Sequence, residues 1–286
     1  MNILSIQSWV AYGHVGNASA VFPLQRLGAE VWAVNTVQFS NHTGYGSWRG
    51  QVFGADLVRD LVQGIEDRGA LPRCDAVLSG YMGDAAIGEA ILDAATRVKT
   101  ANPAALYCCD PVIGDVGRGI FVRPGIPEFM RDRAVPAADI ITPNQFELEW
   151  MTGRSIGTLQ EAKAAVAAVQ ETMAPGGPRV VLVTSLRVAE TPEDQIELLA
   201  AEGGQFHRIR TPMLPLSVNG AGDAIAALFL FHRMRTGSAA AALGAAASSI
   251  YGLLRRTSEA ASREILTVAA QDEFVAPSRV FMPETC

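Results

Sequence analysis

Short apolar runs rich in β-branched residues alternate with longer stretches of helical periodicity along nearly the whole chain, and this alternation restricts the fold more than any other feature. The runs at 3–7, 31–38, 76–79, 105–109, 140–142 and 180–184 read as strands, and the stretches at 18–27, 57–65, 87–99, 128–133 and 159–173 read as helices. Strands separated by helices need crossover connections. The pattern therefore predicts an α/β fold with a mostly parallel central sheet covered by helices on both faces. Near 196–200 and 206–210 two strands follow each other across Gly203-Gly204, which predicts a short antiparallel hairpin at one edge. Two more helices close the chain, one opening at Gly220 and one over about 238–255. No repeat, Pro-rich linker or low-complexity segment divides the 286 residues, so a single domain over 1–286 is expected.

Composition removes several classes of function. With 49% hydrophobic and 18% charged residues the chain is not disordered. Its net charge of −6 argues against a nucleic-acid partner, which needs many Lys and Arg to neutralise phosphates. Any anionic ligand must then be held locally. Cys74, Cys108, Cys109 and Cys286 lack CxxC or His-rich metal spacing, so they read as reduced thiols of a cytoplasmic protein, with adjacent Cys108 and Cys109 on opposite faces of a strand. The opening Met1-Asn2-Ile3-Leu4-Ser5-Ile6-Gln7 has no basic segment and reads as a buried strand, not a leader. The uncharged stretch 236–254 is too rich in Ala, Gly and Ser to enter a membrane and reads as a closely packed helix.

In open parallel sheets ligands sit beyond the carboxyl ends of the strands, and several polar segments fall there. The run Asn219-Gly220-Ala221-Gly222-Asp223 leads into an apolar helix. Its glycines permit a tight turn that leaves amides bare at a helix N-terminus, where an anion is favoured. Asp223 can cap that helix, or it can accept a proton from a hydroxyl attacking phosphorus. Ser8 follows the first strand, then Gly13-His14-Val15-Gly16-Asn17. That spacing is not a dinucleotide fingerprint, and at Gly220 the third glycine of GxGxxG is replaced by Ile225. A GxSxG elbow and a Gly-Lys-Ser/Thr phosphate loop are also missing, so a kinase here must use another anion hole.

After the second strand, Ser40-Asn41-His42-Thr43-Gly44-Tyr45-Gly46 is either an ordinary loop or a set of donors and acceptors for a small polar ring. Tyr81, in Gly80-Tyr81-Met82-Gly83, can pack internally or stack on an aromatic ligand. The fourth strand ends in Asp110-Pro111 and the fifth in Thr142-Pro143-Asn144-Gln145-Phe146-Glu147. These carboxylates can be a turn residue and a helix-start acid, or together hold Mg²⁺ directly or through its water shell. The convergence of Asp110, Glu147 and Asp223 on one rim singles the place out as a site. His207 and His232 read as surface or packing residues.

The turn at 219–223 together with Asn144-Gln145-Phe146-Glu147 resembles the ribokinase-like superfamily of small-molecule kinases. Ser5-Ile6-Gln7-Ser8, the Gly13 to Asn17 string, Thr36-Val37-Gln38-Phe39-Ser40-Asn41-His42-Thr43, Ser79-Gly80-Tyr81 and Cys109-Asp110-Pro111-Val112 narrow the resemblance to pyridoxal kinases, over nearly the whole chain. The resemblance implies transfer of the ATP γ-phosphoryl to the 5′-hydroxyl of pyridoxal, giving pyridoxal 5′-phosphate in a salvage pathway. It implies that Ser8 bonds the pyridine ring edge with His42, Thr43 and Gly44 nearby, and that Val15 and Tyr81 sandwich the ring. Asp223 is then the base, and the amides of Gly220, Ala221 and Gly222 stabilise the transferring phosphoryl. Asp110 and Glu147 serve the Mg²⁺–ATP complex, with Thr142, Asn144 and Thr184 near the phosphates and Thr211, Pro212, Met213 and Leu214 near the nucleoside. A homodimer and a monovalent cation are also implied. Some relatives carry lysine where this chain has Thr184, so here the positive charge must come from elsewhere. The rival within the superfamily is hydroxymethylpyrimidine kinase, whose Ser-Gly-Gly-Ala-Gly type of opening loop is replaced here by Gly13 to Asn17. A pyridoxal-binding protein without turnover would gain nothing from a base at Asp223.

Overall fold

Ten strands share one sheet in the computed structural model, which describes residues 1–286. In chain order the strands of the molecule are β1 (Asn2–Val10), β2 (Glu30–Phe39), β3 (Gly50–Val52), β4 (Ala76–Ser79), β5 (Leu106–Cys109), β6 (Gly114–Asp115), β7 (Gly119–Ile120), β8 (Ile140–Ile141), β9 (Val180–Leu186), β10 (Gln195–Glu202), β11 (Gln205–Pro212) and β12 (Glu284–Thr285). The sheet order is β12-β11-β10-β9-β8-β5-β4-β1-β2-β3, and β6 pairs with β7 in a separate small hairpin. From β9 to β2 every pairing is parallel, while β3, β10, β11 and β12 add antiparallel edges. The chain builds outward from β1 in one direction to β2 and then in the other to β4. Such a reversal opens a crevice at the strands' carboxyl ends.

The helices are α1 (Asn17–Arg26), α2 (Ala55–Asp67), α3 (Ala85–Ala101), α4 (Ile126–Phe129), α5 (Val135–Ala137), α6 (Gln145–Thr152), α7 (Leu159–Thr172), α8 (Ala221–Thr236), α9 (Ala239–Glu259) and α10 (Asp272–Val275). They divide the apolar core into two layers. Residues of α1, α8, α9 and α10 pack with Ile3, Leu78, Cys108, Ile140 and Leu182 on one face of the sheet. Residues of α2, α3, α6 and α7 pack with Leu4, Val77, Cys109, Ile141 and Val183 on the other. Cys108 and Cys109 thus face opposite layers, as strand alternation requires, and all four cysteines are free thiols. No helix is long and apolar enough to cross a membrane; α9, which covers most of the uncharged stretch, packs against α8 and the sheet.

Three details differ from the sequence expectation. The edge hairpin runs longer than anticipated and turns on Gly203 and Gly204, both at positive φ (57° and 78°). The helix expected at 128–133 is broken: α4 passes through a π-type turn at Met130–Ala134 into α5. Pro136 has no N–H for the carbonyl four residues back, so the regular ladder is lost there and a wider turn is tolerated. The short strands β3, β6, β7 and β12 carry too few residues to show a period in the sequence.

Candidate active site

A cavity of about 570 Å³ opens at the carboxyl ends of β1, β2, β4, β5, β8 and β9. Ser8, Val15, His42, Thr43, Gly44 and Tyr81 line it from one side, and Asp110, Thr142, Asn144, Glu147 and Thr184 from the other, with Gly220, Ala221, Gly222 and Asp223 between. A second cavity of about 280 Å³ adjoins it and shares Thr184, Ser185, Ala221 and Gly222. Thr211, Pro212, Met213 and Leu214 line this smaller one. Every residue given a catalytic or binding role by the resemblance therefore borders one of two spaces that meet at the glycine turn.

The turn is held by its neighbours. Gly220 has φ +89°, and a Cβ there would lie 1.8 Å from the His14 carbonyl oxygen, so only glycine fits. Ser19 Oγ donates to the Gly220 carbonyl at 2.8 Å, tying the turn to α1. No side chain caps α8 at Gly220, which leaves the amides of Ala221 and Gly222 available to a ligand. Gly16 makes the corresponding close approach at the start of α1: a Cβ there would come within 2.3 Å of Ser8 Oγ. Ser8 itself sits where the β1–β2 register shifts, a bulge that reaims the end of the strand. Beneath it, the buried Asn17 accepts from Ser5 Oγ (2.7 Å) and donates to the Val34 carbonyl (3.0 Å), locking α1 to β1 and β2.

In the ring-facing half, Tyr81 packs against a small buried cluster of Val10, Val15, Val37 and Phe39. His42 caps the 3₁₀ turn Thr43–Tyr45 by accepting the Gly44 amide at its Nδ1 (3.0 Å). Burial first, and then the charge of Arg118, hold its pKa below the usual histidine value against the opposing pull of Glu264. The ring is therefore neutral, and its remaining donor is Nε2–H.

The acidic half concentrates charge. Asp110 is buried and accepts from Thr142 Oγ1 at 2.8 Å; burial and then Asp223 raise its pKa to about 7, with the Thr142 bond opposing. Glu147 is pushed well above the carboxylate range by burial and then by Asp110, although the backbone amides of Ile113, Asn144 and Gly114 oppose the shift. Asp223 is raised to about 6 by its sunken position, with the amides of Gly16 and of Asp223 itself pulling it back. Glu147 is the helix-start acid expected from the sequence, and its side chain also reaches the cavity. It closes a capping box with Asn144 at the start of α6. Asn144 accepts from the Glu147 amide and donates to the Gly114 carbonyl (2.8 Å), so its polar atoms are engaged in positioning the helix and the β6–β7 hairpin.

Several lining residues were not visible in the sequence. Asp115, Arg118 and Phe121 arrive on the β6–β7 hairpin, and Arg118 Nη1 donates to Asn219 Oδ1 at 3.3 Å. A lone arginine between Gly117 and Gly119, shortly after a strand end, is the signal that could have flagged it. Ile250, Tyr251 and Leu254 of α9 line the smaller cavity. Ser185, at the junction of the two spaces, has φ +53°, a strained geometry of the kind found at functional sites.

Known proteins resemble this chain in sequence and fold. The sequence profile described as phosphomethylpyrimidine kinase matches residues 61–267. A pyridoxal kinase PdxY of Granulibacter bethesdensis is 70% identical over 286 residues, covering all of both chains. One from Deinococcus radiodurans is 57% identical over 285 residues, 99% of this chain and 96% of its own. Among solved structures, a pyridoxal kinase from Leishmania donovani in complex with ADP and ginkgotoxin superposes with a TM-score of 0.91 at 28% identity, covering 100% of this chain and 99% of the other.

Proposed function

The chain belongs to the pyridoxal kinase family of ribokinase-like enzymes, and from that premise we propose how its two joined cavities divide the work of an ATP-dependent pyridoxal kinase. The observation that carries the reading is the meeting of both spaces at Ala221 and Gly222, in the same first turn of α8 as Asp223. Pyridoxal occupies the half lined by Ser8, Val15, His42, Thr43, Gly44 and Tyr81. The nucleoside lies among Thr211, Pro212, Met213 and Leu214, and the triphosphate crosses the glycine turn past Thr184 to reach the acceptor hydroxyl. Solved relatives complexed with ADP and pyridoxamine, and with ADP and pyridoxine, support placing a nucleotide and a vitamer together.

Asp223 orients the 5′-hydroxyl and receives its proton late, as the oxygen–phosphorus bond forms, because an alcohol is far less acidic than a carboxylic acid. Its raised pKa of about 6 makes it a better proton acceptor while leaving it ionised at neutral pH. The amides of Gly220, Ala221 and Gly222 face the charge that builds on the transferring phosphoryl. Arg118 is the only Lys or Arg that lines either cavity, so it supplies the positive charge that Thr184 cannot.

Mg²⁺ fits the acidic half. Asp110 and Glu147 are buried, receive hydrogen bonds only from Thr142 and backbone amides, and have raised pKa values that a cation would relieve. No group of three His, Cys, Asp or Glu comes together there, so the ion would keep waters and take phosphate oxygens. When bound it neutralises charge on the phosphates. The resemblance adds a monovalent cation and a homodimer. Four free thiols support a reducing, cytoplasmic setting, and we propose that residues 1–286 act as one domain.

Asp223→Asn tests the central assignment. Pyridoxal binding is expected to persist while turnover falls at least about a hundredfold, the scale of a lost positioned base. Full turnover in the variant would exclude Asp223. Product mass after incubation with ATP, Mg²⁺ and either pyridoxal or hydroxymethylpyrimidine separates this reading from its superfamily rival.

A further inference from the structure

We propose that Glu264, far from the cavity in sequence and not among its lining residues, is a positioning residue that latches together the two loops forming the pyridoxal side of the site. It lies in the segment joining α9 to α10. One carboxylate oxygen, Oε1, accepts from Tyr45 Oη at 2.5 Å; the other, Oε2, accepts from the His14 amide at 3.3 Å. Tyr45 ends the 3₁₀ turn that presents Thr43 and Gly44, and His14 immediately precedes Val15. A single side chain therefore bridges the loop after β1 and the loop after β2, 219 residues from one partner and 250 from the other.

Two further contacts indicate a built junction. The Arg263 guanidinium lies 4.7 Å from the centroid of the Tyr45 ring, so the tyrosine is held by a cation on its face and by a carboxylate at its hydroxyl. Gly13 has φ +91°, and a Cβ there would stand 2.1 Å from Glu264 Oε2, so the first loop leaves room for this carboxylate. Thr43 and Gly44 are themselves exposed, and no strand or helix longer than that one turn holds them. Loops of this kind lose order unless they are tied down, and each bond made before substrate arrives reduces the ordering cost at binding. Glu264 lines neither cavity, so its effect should appear in pyridoxal affinity and not in the chemical step.

The inference rests on the reading that this half of the cavity takes pyridoxal, and the test separates the two. Pyridoxal and ADP affinities would be measured by intrinsic fluorescence, alongside kcat and both KM values, for Tyr45→Phe, Glu264→Ala, the double variant and Tyr81→Ala. Tyr45→Phe removes only a partly exposed hydroxyl and should fold normally. Tyr45→Phe and Glu264→Ala are each expected to weaken pyridoxal about tenfold, the low end for losing a hydrogen bond to a charged group. ADP affinity and kcat should stay within about twofold, and the double variant should be no weaker than the worse single one, because both remove the same bond. Glu264→Gln, which keeps an oxygen acceptor, should recover part of the loss. Unchanged pyridoxal affinity in Tyr45→Phe and Glu264→Ala, equal loss for ADP, or a double variant showing the product of both losses would overturn the latch. If those results came with a strong Tyr81→Ala effect, the latch alone would fail. If Tyr81→Ala also left pyridoxal untouched, the substrate assignment would fail and take the latch with it.

Discussion

Two glycines in one turn do different jobs, and that difference gives a residue-level test of phosphate binding. Gly220 is glycine because the protein leaves no room: its φ is positive and the His14 carbonyl occupies the place of a Cβ. Gly222 has no atom within 4 Å of where its Cβ would be, so nothing in the protein itself requires a glycine there. A triphosphate lying against the bare amides would. Gly222→Ala should therefore leave the melting temperature unchanged or slightly raised, since alanine lowers the entropy of the unfolded chain. It should nevertheless raise KM for ATP by roughly tenfold, the cost of about 1.4 kcal/mol of lost close approach. Gly220→Ala should lower stability and activity together. If Gly222→Ala left KM for ATP unaltered, phosphates could not run along this turn.

At the scale of elements, the strand ends were readable and the additions between them were not. Tyr81, Asp110 and Thr142 come at the ends of apolar runs that read as strands, so their shared rim followed from topology; Ser8, expected just after the first strand, instead lies within β1 at its register shift, because pairing with β2 carries the strand on to Val10. The β6–β7 hairpin has two residues per strand and no period, yet it brings the one cation of the cavity. Ile250, Tyr251 and Leu254 of α9 look the same in sequence as any buried helix face, and only the fold decides that they border the smaller cavity. The hairpin's base is anchored where Asn144 holds the Gly114 carbonyl and Glu147 the Ile113 amide; its tip is held by Arg118 against Asn219. The acid proposed to face the metal thus also anchors the cation's hairpin. Arg118→Met is expected to raise KM for ATP about tenfold, in keeping with loss of a charge-assisted contact to phosphate, and to affect pyridoxal much less. Arg118→Lys should keep part of the affinity, because the charge remains while the planar fork is lost. Steady-state kinetics at fixed ionic strength would decide it, and an unaltered KM for ATP in Arg118→Met would remove Arg118 from the phosphate site.

For the whole molecule, the cavity is a place where stability is given up for function. Asp110, Glu147 and Asp223 all have raised pKa values in the folded protein, chiefly because burial penalises their charged forms. An acid whose pKa is higher folded than unfolded binds more protons in the native state between those two values, so stability falls as pH rises through that window. For Asp110 the window runs from its ordinary 3.8 to about 7, and above it the full penalty persists. Asp110→Asn keeps an oxygen to accept from Thr142 and removes the charge. Discounting the shift for solvent in the open cavity, the variant should gain on the order of 1–2 kcal/mol at pH 8. That corresponds to a rise in melting temperature of roughly 2–6 °C. The gain should shrink as pH falls and vanish near pH 4, where the aspartate is neutral in the native state as well. Mg²⁺ with ADP should stabilise the wild type more than the variant, because the cation relieves the repulsion that the substitution has already removed. Calorimetry across pH, with and without Mg²⁺–ADP, measures both effects. Equal melting temperatures for the two proteins at pH 8 would mean that the acidic rim costs the fold nothing, and the case for a cation held there would lose its electrostatic basis.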